Sequence, residues 1–295
     1  MHVLMHPAII PGELWGAWTL EAGVVFPIIT GLLLYARGLQ SVWSRAGEGR
    51  GVREWQAWCF GAGMLTLTLA LISPLHALGG ALFSAHMTQH VLLMGVAAPL
   101  IVLGAPLTAL TWSLPHRGRR AVAHVLGAGP LRSVRKALVT PATAWVLHAA
   151  AIWVWHAPSL YAATLTSELA HTAQHSSFLL TAVLFWWAVR ERPRHGVAVL
   201  YLFTTAVHSS LLGALLTFAP DVFYAPYEFT APAWGLTALE DQQLGGLIMW
   251  VPASLVYVGA ALALLASWMR ESERRVSRRA AAAAAMVLLI AASLQ

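Results

Sequence analysis

Cysteine is almost missing from this chain. The single Cys59 excludes an intramolecular disulfide and any metal site made of cysteines alone. Charge is scarce as well: only 10% of the 295 residues are Asp, Glu, Lys or Arg, against about 25% in an ordinary soluble domain. No G-x-S-x-G, no P-loop and no H-E-x-x-H occurs, so no familiar hydrolytic or nucleotide-binding set is present. Lys and Arg are also absent before the first apolar run, which does not fit a secretory signal peptide.

What is abundant is apolar surface. Hydrophobic residues make up 58% of the chain and the mean hydropathy is +0.66. A soluble fold of this length could not hide so much, so the solvent for most of it is lipid. A spanning helix needs about 20 predominantly apolar residues. Candidate spans are 19–38, 56–73, 81–104, 138–157, 168–189, 197–218 and 243–268. The expected fold is an all-α, polytopic membrane bundle of about seven transmembrane helices. It divides into an outer tail (1–18), the spanning domain (19–269) and a basic segment with an apolar tail (270–295). The last run, 281–295, is short and leaves a short eighth span, a surface helix and a frayed tail open.

The basic residues fall into blocks. Arg37, Arg45, Arg50 and Arg53 follow the first span; Arg117, Arg119, Arg120, Arg132, Arg135 and Lys136 follow the third. Arg190, Arg192 and Arg194 follow the fifth, and Arg270, Arg274, Arg275, Arg278 and Arg279 the seventh. Every Lys and Arg thus lies on one side, which the positive-inside rule makes cytoplasmic, with the N-terminus outside. The net charge of +6 then reflects topology and anionic lipid rather than nucleic acid.

The chemistry gathers on the outer side. Span 3 opens with AHMTQHVLL (85–93) and span 5 with AHTAQHSSF (170–178), so A-H-x-x-Q-H recurs 85 residues apart. Span 7 opens with LEDQQLGGL, where Glu240 takes the place of the first histidine. His76 and His156 each precede their repeat. Three related helical hairpins follow: spans 2–3, 4–5 and 6–7. Residues four apart share a helix face, so His86 with His90, and His171 with His175, can bring four imidazoles to one level. Glu240 and Asp241 lie slightly above them. Gln89 and Gln174 are placed to orient the imidazoles.

A lone intramembrane histidine more often bonds a neighbouring helix, the bland reading for His148 and His208. His116, His124 and His195 read as solvated loop residues. The paired histidines ask for more, since one shared bond needs only one imidazole. Neutral imidazole suits copper, zinc, iron or nickel. A compact copper site, Cu(I) or Cu(II), uses all four; a haem would take one histidine from each helix and leave two unexplained. Met87 points about 100° away from His86, and the Met1, His2, Met5, His6 tail reads more readily as a disordered free end than as a weak copper catcher. His156 or Asp241 would complete or gate the site. The competing readings are a haem-binding electron carrier and a metal or proton transporter using His148 and His208.

These residues carry a family resemblance. Ser73-Pro74, His86-Met87-Thr88-Gln89-His90 with Pro99, Gly104 and Pro106, Trp155-His156-Ala157-Pro158 with Tyr161, and His171 and His175 with Trp186-Trp187 belong to it. So do Asp241-Gln242-Gln243, Gly245, Gly246, Met249 and Trp250. Over residues 15–268 the chain resembles the polytopic CtaG-type cytochrome c oxidase assembly factors of aa- and caa-type oxidases. One departure is Trp18-Thr19-Leu20-Glu21-Ala22, where the family often has an aspartate-proline; Glu21 keeps the carboxylate and the proline is lost. The resemblance implies a non-catalytic, copper-supplying factor of the bacterial inner membrane. Its implied partners are the catalytic subunits of cytochrome c oxidase, a periplasmic copper donor and the lipid bilayer.

Overall fold

Proline sets many of the element boundaries. In the computed structural model, α3 (Pro74–Ala81), α6 (Pro106–Ser113), α9 (Pro141–Trp155) and α10 (Pro158–Thr166) each begin on proline. Its fixed φ and missing N–H suit a first helical turn. The structure describes residues 9–191 and 195–293, with side chains to 282. The Met1, His2, Met5, His6 tail, Arg192 and Arg194 lie outside the described residues.

Among the described residues every regular element is helical. Two long helices open the bundle, α1 (Ala22–Ala46) and α2 (Glu54–Ile72). Past α3, α4 (Phe83–Val91) runs through a π segment, Leu92–Ala97, into α5 (Ala98–Leu103). Two short amphipathic helices, α7 (His116–Gly127) and α8 (Gly129–Leu138), separate α6 from α9. The remaining long helices are α11 (Glu168–Glu191), α12 (His195–Thr217) and α13 (Ala238–Ser293).

Among the described residues five helical stretches are long and apolar enough to cross a membrane: α1, α2, Phe83–Leu103, α12 and α13. Counting α8 with α9, a pair bent by 67°, gives six. The expected seven are therefore not all met by length and composition. The physical reasons differ. α11 has 24 residues, but its outer half carries Glu168, His171, Gln174 and His175. α9 has only 15, about 22 Å at 1.5 Å per residue, short of a hydrocarbon core of about 30 Å.

Three further expectations change. The first span extends to Ala46, so Arg37 and Arg45 are helical rather than loop residues. The second basic block, which follows the third span, is not a loop but α7 and α8, neither of which buries any residue. Their basic faces suit an interfacial position. The segment after Arg270 continues α13 without a turn to Ser293, so it is neither a returning eighth span nor a separate surface helix.

The helices have two distinct ends. At one, Arg190 Nη1 donates to Val102 O, and the His195 ring stacks on Trp268, 3.7 Å from Glu271. His195 is thus packed rather than simply solvated. At the other, Thr19 N donates to Ile72 O at 3.0 Å, joining the start of α1 to the end of α2. The core lies between α4, α11, α12 and α13, around Phe83, Met87, Phe178, Phe185 and Leu202. Leu180, Phe203, Leu211, Leu255 and Leu262 remain exposed on the outside, as lipid-facing side chains do.

Small residues let α12 and α13 meet. A Cβ on Gly246 would lie 2.6 Å from Thr217 N and 2.7 Å from Gly213 O, both backbone atoms. Such close approach replaces the hydrophobic drive that lipid removes.

Candidate metal centre

The repeat is visible in the element boundaries. α3 ends at Ala81 and α10 at Thr166; α4 begins at Phe83 and α11 at Glu168. Both pairs are 85 residues apart, the offset of the histidine pairs, so each pair occupies the same turn of its own helix.

α4 cannot start itself. Its N-cap residue, Leu82, has no side-chain oxygen to offer, and a helix start leaves N–H groups unpaired. Asp241 of α13 fills that role. Its Oδ2 accepts from Phe83 N at 2.6 Å, and its Oδ1 accepts from Ser84 N at 3.1 Å and from Ser84 Oγ. Asp241 therefore holds the helix that carries His86 and His90, and lies outside both histidine groups described below. Glu240 is further removed: it is largely solvent-facing and accepts from Thr237 N and Oγ1 at its own helix start.

The two pairs do converge. Ring centres are 4.5 Å apart for His86 and His90, and 4.2 Å for His171 and His175. Between helices, His86 lies 5.5 Å from His171 and 5.3 Å from His175, and His90 lies 5.3 Å from His175. Among the described residues two sets of three offer ligand nitrogens all within 4.8 Å of one another: His86, His90, His175 and His76, His171, His175. His175 belongs to both. The first set is buried; in the second, His171 is partly exposed.

His76 is the residue that sequence reasoning left out of the site. The signal was present, since it precedes the first repeat as His156 precedes the second. α3 turns His76 inward, 5.3 Å from His171 by ring centres. Its Nδ1 accepts from Gln89 Nε2 at 3.2 Å, and Gln89 also donates to Ala70 O at 2.7 Å. Gly79 makes that placement of Gln89 feasible, because a Cβ there would fall 2.5 Å from its Oε1. The equivalent Gln174 accepts from His86 Nε2 at 3.1 Å. Both glutamines thus orient imidazoles, as their spacing suggests.

His156 sits beside the cluster, its ring centre 5.9 Å from that of His90. Its Nδ1 donates to Ile152 O at 2.6 Å, which leaves the Nε2 lone pair facing Met87 Sδ at 3.4 Å. Met87, one residue from His86, does point away from it, and toward this second histidine.

His90 is the anomaly. It is fully buried, and neither of its ring nitrogens has a hydrogen-bond partner. His175 Nε2 is likewise buried without one. Leaving such groups unpaired costs about 1–3 kcal/mol each, so each asks for an explanation. His148 does not: it bonds Thr181 Oγ1 at 3.2 Å and Tyr257 OH at 3.1 Å. His208 Nδ1 accepts from Trp153 Nε1. His148 fits the bland interhelical reading; His208 makes one such bond while its Nε2 is buried without a partner.

The segment between α12 and α13 covers the site. Tyr224 OH donates to His156 O, Tyr227 OH to Gly79 O and Thr230 Oγ1 to Ala81 O, at 2.9, 2.9 and 2.7 Å. Phe83 stacks on Tyr224 with ring centres 4.6 Å apart. Burial pushes both tyrosine hydroxyls toward the protonated form, which keeps them donors.

Comparison with known proteins places this architecture. Uncharacterized proteins of Mycobacterium bovis and Mycobacterium tuberculosis are each 30% identical over 267 residues, covering 87% of this chain and 39% of theirs. One of Mycobacterium leprae is 26% identical over 245 residues, 78% of this chain and 36% of its own. The chain thus spans about two-fifths of the length of these curated relatives. No solved structure matches. The model of the cytochrome c oxidase caa3 assembly factors matches residues 33–271, and the chain belongs to that family.

Proposed function

We propose that this protein serves oxidase assembly by binding copper at the histidine cluster and passing it to a metal centre of a catalytic subunit. The observation that carries the reading is His90, buried with two unpartnered ring nitrogens between His86 and His175. Its donor chemistry fits the cargo. Neutral imidazoles with a nearby thioether, Met87 beside His156, favour copper among the available metals. A haem is less well accommodated. It would take two imidazoles, one from each side of the porphyrin, and leave the others of the cluster unexplained.

The basic end of the bundle, read by the positive-inside rule, supports a cluster that faces the outer side of a bacterial cytoplasmic membrane. A periplasmic donor could supply it there, and no catalytic step is required of the chain. The test is metal content. The purified chain, loaded with copper and desalted, is expected to retain about one ion, and His90→Ala with His175→Ala to lose it. Equal copper in wild type and double variant would refute the assignment.

A further inference from the structure

Beside the cluster, a crevice of about 250 Å³ opens between α1, α2 and α11. Its walls are mostly apolar, among them Val24, Ile28 and Leu71, yet His76, His171 and His175 line its floor. Glu21 stands at its mouth, with a side chain 36% exposed and Oε1 3.8 Å from His76 Nε2. His86 and His90 of the other set are fully buried and do not line the crevice, while His175 belongs to both sets.

From this we infer that the cluster is a two-position ladder, an inference that rests on the copper reading above. A soft monovalent cation approaches through the side crevice past Glu21 and is held first by His76, His171 and His175. It then moves inward by ligand exchange. The bonds to His76 and His171 break, those to His86 and His90 form, and the His175 imidazole serves both positions. No electron moves and no proton is lost: His76 keeps its proton on Nε2 and ligates through Nδ1, giving up the bond which that nitrogen accepts from Gln89, and the imidazoles stay neutral throughout. Because His175 is shared, the two positions hold one ion between them, not two.

Three features favour a ladder over a single four-histidine cage. The donor atoms divide into two overlapping sets rather than one. Burial increases from the first set to the second, so the ion is desolvated in stages. Glu21 stands 3.8 Å from His76 at the outer position, and among the described residues the inner donor set includes no carboxylate, as an attractive mouth and a neutral interior would require. Sites that must also release their ion do better with several moderate positions than with one deep well.

The experiment is stopped-flow loading of the full chain in detergent with Cu(I), followed by competition with a Cu(I) chelator. Wild type should bind one ion at saturation. Glu21→Gln and His76→Ala should still take up the ion, but at least tenfold more slowly. His90→Ala should load at the wild-type rate and surrender its ion to the chelator at least tenfold faster. Glu21→Gln exchanges one atom on a part-exposed side chain, which protects the test should His76→Ala misfold. Wild-type loading rates in both Glu21→Gln and His76→Ala would overturn the ladder while leaving the copper site standing. So would two ions bound at saturation. Copper binding by neither wild type nor any variant would instead defeat the copper reading itself.

Discussion

The carboxylate of Asp241 accepts the backbone N–H groups of Phe83 and Ser84, 158 and 157 residues away in sequence. One side chain on α13 thereby fixes where α4 begins, and so the height and direction of His86 and His90. Asp241→Ala removes that acceptor and leaves buried donors at a helix start. The expected cost is about 2–4 kcal/mol, read as a lower melting temperature in detergent. Copper affinity should fall with it. Asp241→Asn keeps one acceptor oxygen and should fall between the two.

Gln174 holds His86 by a single bond at 3.1 Å. Outer partners of this kind commonly cost about 10–100-fold in metal affinity when removed. Gln174→Ala should weaken Cu(I) binding within that range, with the number of ions bound at saturation unchanged. Competition against a calibrated chelator measures it.

α12 and α13 touch backbone to backbone at Gly213 and Gly246. The added methyl of Gly246→Ala meets Thr217 N and Gly213 O, neither of which can turn aside. Overpacking of this kind costs about 1–3 kcal/mol. Thermal unfolding should show it, and Asp241, four residues into α13, should lose its alignment with α4. Gly259→Ala, where a Cβ meets nothing within 4 Å, is the control and should melt like wild type.

The covering segment is pinned by three hydroxyl-to-carbonyl bonds, from Tyr224, Tyr227 and Thr230. Tyr227→Phe removes the bond to Gly79 O and its contact with Tyr161 OH. Amide hydrogen exchange over residues 223–236 should speed up several-fold, corresponding to about 1 kcal/mol of lost closure. Exchange within α12 should stay as it was.

Much of this site was legible before any coordinates. The histidine pairs could be read because A-H-x-x-Q-H recurs at a fixed offset, and a fixed offset within a helical hairpin means the same turn of each helix. The glutamines followed from the same pattern. His76 did not, because its inward direction depends on the short helix α3: Ser73-Pro74 marks a helix start, but the stretch SPLHALGG is only eight residues long and ends in two glycines, so it reads equally as a loop. Asp241 looked like a ligand because a carboxylate beside imidazoles usually invites that reading. Its partners are backbone N–H groups, which leave no mark in the sequence. Hydropathy located the helices but not their lengths: α1 and α13 run on past their apolar stretches because arginine and alanine are good helix formers. The π segment at Leu92–Ala97 had no sequence signal at all.

The central claim is that imidazoles of α4 and α11 share one copper ion. X-ray absorption at the copper edge tests it most directly. The copper-loaded wild-type chain should show nitrogen scatterers at about 2.0 Å with the outer-shell pattern of imidazole, and His175→Ala, which removes a donor from both sets, should lose at least one of them. A shell of oxygen or sulfur alone, or a spectrum that His175→Ala leaves unchanged, would contradict it.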